Sequence, residues 1–143
     1  MTHQRGFSLI EALIALVVLS IGLIGVAAMQ LKALQSANAG YQRSVASVAA
    51  VDAQERLWAQ LALLEPSQTC ENIDTAEIQA LWRNHWFQNN DATPLRRASL
   101  SGSTVERNAS NTGCRFRVNV ALSESGDDQF DYTFSLPRIE SSP

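Results

Sequence analysis

The sequence predicts an α+β fold in which a long N-terminal hydrophobic α-helix packs against a small antiparallel β-sheet domain carrying a short second helix. Three observations predict it. Residues Ala12 to Leu31 form a run of twenty residues without a charge. Apolar side chains then recur at helical spacing as far as Pro66, and two segments near the C-terminus alternate apolar and polar residues.

The apolar run comes first. At 1.5 Å per residue, twenty helical residues reach roughly 30 Å, the thickness of a bilayer's hydrocarbon core. Arg5, in the short segment before it, orients that end towards the cytoplasm, so the bulk of the chain is expected outside it. A secretory signal peptide cleaved after Val26-Ala27-Ala28, before Met29, is the plain alternative. Two features oppose that alternative. Glu11 lies within the apolar segment, where a mid-membrane acid costs on the order of 2.5–3.5 kcal/mol, less near the interface. The helical pattern also continues well past Met29.

Leu34, Ala37, Tyr41, Val45 and Val48 recur at spacings of three and four and are expected to form one apolar face. Near Arg56 the stripe moves to Leu57, Leu61 and Leu64, with Trp58 beside it, as expected where a helix begins to rest on its own globular domain. Pro66 disfavours helix at Glu65, so the helix should end at Leu64. The expected division is 1–6 as a leader peptide, 7–34 as the membrane-spanning or filament-core half of the helix, 35–64 as its amphipathic half, and 65–143 as a periplasmic globular domain.

Residues 75–87 read as the second helix, with Asp74 as N-cap, Glu77 three residues on, and Ile78, Leu81, Trp82, His85 and Trp86 on one face. Residues 89–113 are rich in Asn, Ser, Thr and Gly and read as loops with one strand over 103–107. Cys114, Phe116, Val118, Val120 and Leu122 then alternate with polar or small residues. After a turn through Ser123 to Asp128, Phe130, Tyr132, Phe134 and Leu136 alternate likewise. This is a hairpin with one apolar face to lay on the helix.

Composition narrows the chemistry. The 143 residues are 45% hydrophobic and 17% charged with a net charge of -3, a balance suited to one small folded domain and unsuited to gripping nucleic acid. The arginines Arg83, Arg96, Arg97, Arg107, Arg115 and Arg117 are outnumbered by acids, so a DNA-binding role is a minor alternative and nucleic acid is not the expected partner. With two cysteines and two histidines, a four-ligand zinc site would need all of them, including His3. No metal, cofactor or catalytic residue is expected, and His85 reads as a packing or surface residue. Cys70 and Cys114 are expected to form one disulfide in an oxidising compartment. Asn108-Ala109-Ser110 matches a glycosylation acceptor pattern, a short and unspecific match.

The run Arg5-Gly6-Phe7-Ser8-Leu9-Ile10-Glu11 resembles the class III signal of type IV prepilins and type II secretion pseudopilins: a short basic leader ending in Gly, then Phe, with Glu five residues into the mature chain. Leu19-Ser20-Ile21-Gly22-Leu23-Ile24-Gly25 resembles minor pilins of the PilV kind. The resemblance covers residues 5 to about 35. It implies cleavage after Gly6 by the prepilin peptidase, methylation of the new N-terminus on Phe7, and insertion into a helical filament through the N-terminal helix. It assigns Glu11 a partner, the N-terminal amine of a neighbouring subunit. Many major pilins carry proline where this chain has Ala28; Gly22 and Gly25 either supply local weakness instead or mark close helix packing.

The function implied is a minor pilin that helps initiate or cap type IV pilus assembly, with a minor pseudopilin of type II secretion as the alternative. Its implied partners are the other minor pilins, the major pilin, a tip adhesin and the inner-membrane assembly platform. Its implied location is the bacterial inner membrane, single-pass with the globular domain periplasmic, and then the pilus.

Overall fold

The computed structural model describes residues 9–87, 93–95, 98–108 and 113–138. It resolves into two compact units, Met1–Gly40 and Tyr41–Pro143. The first helix, α1, spans Leu9–Leu63 and contributes to both.

In the N-terminal unit, α1 presents its apolar side chains to the surroundings on every side, from Leu9 to Leu31. Ser20 and Gln30 are the uncharged polar exceptions within the run, and the Ser20 hydroxyl donates to the Leu16 carbonyl at 2.7 Å. A Cβ added at Gly22 or Gly25 would meet nothing within 4 Å. Among the described residues, α1 is the one helix long and apolar enough to cross a membrane by length and composition.

In the C-terminal unit, α1 supplies one wall of the core through Ala46, Ala49, Ala50, Ala53, Leu57 and Leu61, all buried. Packing on the globular domain thus starts about ten residues before the expected shift near Arg56, and it uses a face other than the apolar one read from Leu34 to Val48. Tyr41 and Val48 stay exposed, and Val45 is half-buried against the core. The small side chains of the alanines let a bulky layer of Trp82, Phe116, Val118 and Val120 share one core with the helix. The expected shift to Leu57 and Leu61 is present. The helix ends at Leu63, ahead of Pro66, and Gln68 donates its main-chain N–H to the Glu65 carbonyl at 2.8 Å in the turn that follows.

A single 3₁₀ turn, Cys70–Asn72, is closed at its start by a reciprocal capping box: the Thr69 hydroxyl accepts from the Glu71 N–H, and the Asn72 side chain accepts from the Thr69 N–H at 3.0 Å. The second helix, α2, spans Thr75–Trp86. Asp74 Oδ1 accepts from the N–H groups of Ala76 and Glu77 at 2.9 and 3.2 Å, as its position before the helix predicts. The buried stripe is narrower than expected: Ile78, Trp82 and Trp86 point inward, while Leu81 and His85 are exposed.

Three strands, β1 (Ser99–Arg107), β2 (Arg115–Ala121) and β3 (Gln129–Ser135), form one antiparallel sheet in the order β1-β2-β3. Val118 sits at its middle, opposite Val105 on one side and Tyr132 on the other. Phe116, Val118 and Val120 are buried, and Phe130, Tyr132 and Phe134 pack half-buried on the same core. The turn between β2 and β3 contains Gly126 at φ 76°, a left-handed conformation suited to glycine. Strand β1 begins at Ser99, four residues before the expected Ser103.

The irregular start of β1 is held by side chains. Its register against β2 shifts between Ser99 and Thr104. Ser103 is wholly buried there; its hydroxyl donates to the Ser99 carbonyl at 2.7 Å and accepts from the Ala121 N–H at 3.0 Å. On α2, Gln79 accepts the Val105 N–H at 2.8 Å, and Arg83 donates to the Ser103 carbonyl at 2.8 Å through Nε. These bonds cover an edge strand that would otherwise present free backbone groups.

Candidate functional site

The residues that carry the chemistry of the N-terminal motif lie at the start of the chain. Gly6 and Phe7 lie outside the described residues. Glu11 is in the first described turn of α1. It is exposed, and none of the ion pairs among the described residues includes it. The motif therefore offers an acid, on an apolar helix, whose counter-charge must come from elsewhere once it leaves water.

Cys70 and Cys114 form a disulfide with Cα atoms 5.6 Å apart and 44 positions apart in sequence. Both are buried, and the bond ties the 3₁₀ turn to the residue preceding β2. Arg107 donates to the Glu71 carbonyl and Arg138 pairs with the Glu71 carboxylate at 3.1 Å, so the same junction is braced from two further points.

The described arginines do not converge on one basic surface. Arg83 is spent on the Ser103 carbonyl and Arg107 on the Glu71 carbonyl. Arg115 and Arg117 are exposed on the outer sheet face, with Arg117 opposite Glu106 and Thr133. Arg96 and Arg97 lie outside the described residues. His85 makes an edge contact with Trp86, its ring centroid 5.4 Å away. No group of three or more His, Cys, Asp or Glu residues suited to hold a metal occurs among the described residues.

Two arrangements were not anticipated. Asp52 accepts from Arg56 Nε at 2.8 Å and from Trp86 Nε1 at 2.9 Å through the same oxygen, joining α1 to α2. The i,i+4 spacing of Asp52 and Arg56 was a visible signal for half of this cluster. The other is the outward face of α1, where Tyr41, Val48, Val51 and Trp58 stay exposed at heptad-compatible spacing.

Among known families, residues 1–27 match the one described as the prokaryotic N-terminal methylation motif. No match was found among curated proteins or among solved structures. The motif is the class III prepilin signal. It implies processing by the prepilin peptidase and assembly with other pilins, and with the apolar helix it suggests membrane anchoring. Together with the α+β fold, the match supports a structural subunit of the pilin or pseudopilin type.

Proposed function

We propose that this chain is a minor pilin that helps initiate or cap a type IV pilus, acting as a structural filament subunit without catalytic chemistry of its own. The observation that carries the reading is the methylation motif running into an apolar stretch of α1, residues 9–31, that is exposed throughout and holds one acid, Glu11. In this reading the prepilin peptidase cuts after Gly6 and Phe7 becomes the methylated N-terminus. The helix holds the subunit in the inner membrane with its α+β unit in the periplasm, then enters the filament core. Glu11 meets the N-terminal amine of a neighbouring subunit there, because an acid in an apolar core needs a cation close by. The other minor pilins, the major pilin, a tip adhesin and the assembly platform are its proposed partners. The resemblance of residues 19–25 to minor pilins of the PilV kind favours this over the major subunit.

The test is deletion of the gene with complementation by a tagged chain. Loss of surface pili, restored by the tagged chain, and recovery of that chain at low ratio in sheared pili is the expected result. Normal piliation with loss of exoprotein secretion would instead assign the chain to a type II secretion pseudopilus.

A further inference from the structure

Within the C-terminal unit, the face of α1 turned away from the core follows a heptad. Tyr41, Val48, Glu55 and Ala62 occupy one set of positions and Ser44, Val51 and Trp58 the other. All seven are exposed, and four are large apolar side chains: Tyr41 at 58%, Val48 at 59%, Val51 at 47% and Trp58 at 38%. The opposite face of the same stretch is the alanine wall already committed to the sheet. This second seam has the spacing of a helix that meets another helix.

Glu55 identifies what that helix carries. It is the one charged residue in the seam, and none of the ion pairs among the described residues includes it. Its nearest cation in sequence, Arg56, is held by Asp52, and Arg43 is paired with Asp128 at 2.9 Å. A carboxylate covered by an apolar helix without a counter-charge is strongly unfavourable, so the covering helix must place a cation opposite it. A second copy running parallel does not do this. In register, Glu55 would face Glu55; shifted by one heptad, it would face Val48 or Ala62.

We infer that the Tyr41–Ala62 seam docks a parallel helix of a different chain, apolar at its own seam and carrying a Lys or Arg opposite Glu55, and that Glu55 excludes self-pairing. A single charged seam position of this kind sets register and partner choice. The inference rests on the pilin-type reading, which supplies partner chains oriented in the same membrane.

The test places a photo-crosslinking amino acid at Val51 in the full-length chain, expressed in its own cells, with adducts identified by mass spectrometry. The mature N-terminus is read in the same samples, so failure of the pilin reading shows as absent processing whatever the adducts. The expected result is an adduct with a different chain bearing the same N-terminal motif, crosslinked in a helix with a Lys or Arg at the facing position. Glu55→Lys should lower its yield by about tenfold, and reversing that partner cation to Glu should restore it. Glu55→Gln separates loss of charge from misfolding, since it keeps the shape and should give an intermediate yield. An adduct mainly with a second copy, no adduct in correctly processed protein, or equal yields for wild type and Glu55→Lys would each overturn the proposal.

Discussion

The indole Nε1 of Trp82 donates a 2.8 Å hydrogen bond to the main-chain carbonyl of Ala49, and both residues are fully buried. One side chain thus fixes α2 on α1 by shape and by direction. The bond links the alanine wall of α1 to the tryptophan of α2. Trp82→Phe keeps an aromatic ring but removes the donor and some volume, and should cost about 1–3 kcal/mol. Trp82→Ala should cost about 3–5 kcal/mol, with denaturant unfolding of the C-terminal unit as the measurement.

Gly102 and Ala121 face each other across the irregular start of β1. A Cβ at Gly102 would lie 2.9 Å from the Ala121 Cβ, closer than two carbons can pack. Gly102→Ala should therefore destabilise the unit by about 1–3 kcal/mol, and Ala121→Gly in the same chain should return part of that loss. Gly113→Ala is the control, because a Cβ there meets nothing within 4 Å.

Removing the disulfide should be costly. By the chain-entropy relation, a loop of this size contributes on the order of 4 kcal/mol, a large share of a small domain's stability. Cys70→Ala with Cys114→Ala should lower the unfolding midpoint accordingly, and intact protein alkylated without reductant should show no modified cysteine.

The elements that carry a local signature were legible in the sequence. Asp74 before α2, Pro66 after α1 and the alternation from Phe116 to Phe134 each encode structure within a few residues, and each appears where expected. What depends on distant partners was not. The large apolar residues Tyr41, Val45 and Val48 marked one apolar face, and contact with the globular domain was expected only from Leu57 onward, so the buried wall of Ala46, Ala49, Ala50 and Ala53 was missed because alanine carries little burial signal. The sheet instead selects the alanines, and the outward seam remains apolar. Strand β1 was read short because Ser99 to Gly102 has low strand propensity; its start is held by the Ser103 hydroxyl, which donates to the Ser99 carbonyl within β1 and accepts from the Ala121 N–H that only the folded β2 supplies. Of the candidate site, the N-terminal motif was legible because it is a contiguous run, and the family match covers it.

Glu11 should matter for assembly and not for insertion. Glu11→Leu removes a desolvation penalty from the apolar segment, so the variant should enter the membrane and be processed at least as well as wild type. It should be depleted in the sheared pilus fraction, with the disulfide-bonded unit intact. Glu11→Gln should show a milder defect, because it retains shape and hydrogen bonding without charge. Immunoblots of membrane and sheared fractions measure both.

The central claim is that residues 1–27 act as a class III signal and not as a secretory one. Intact-mass and peptide mass spectrometry of the protein purified from its own membranes tests it most directly. The account predicts a chain beginning at N-methylated Phe7 with Cys70 and Cys114 joined. A mature N-terminus at Met29, or an uncut chain beginning at Met1 in cells with an active prepilin peptidase, would contradict it.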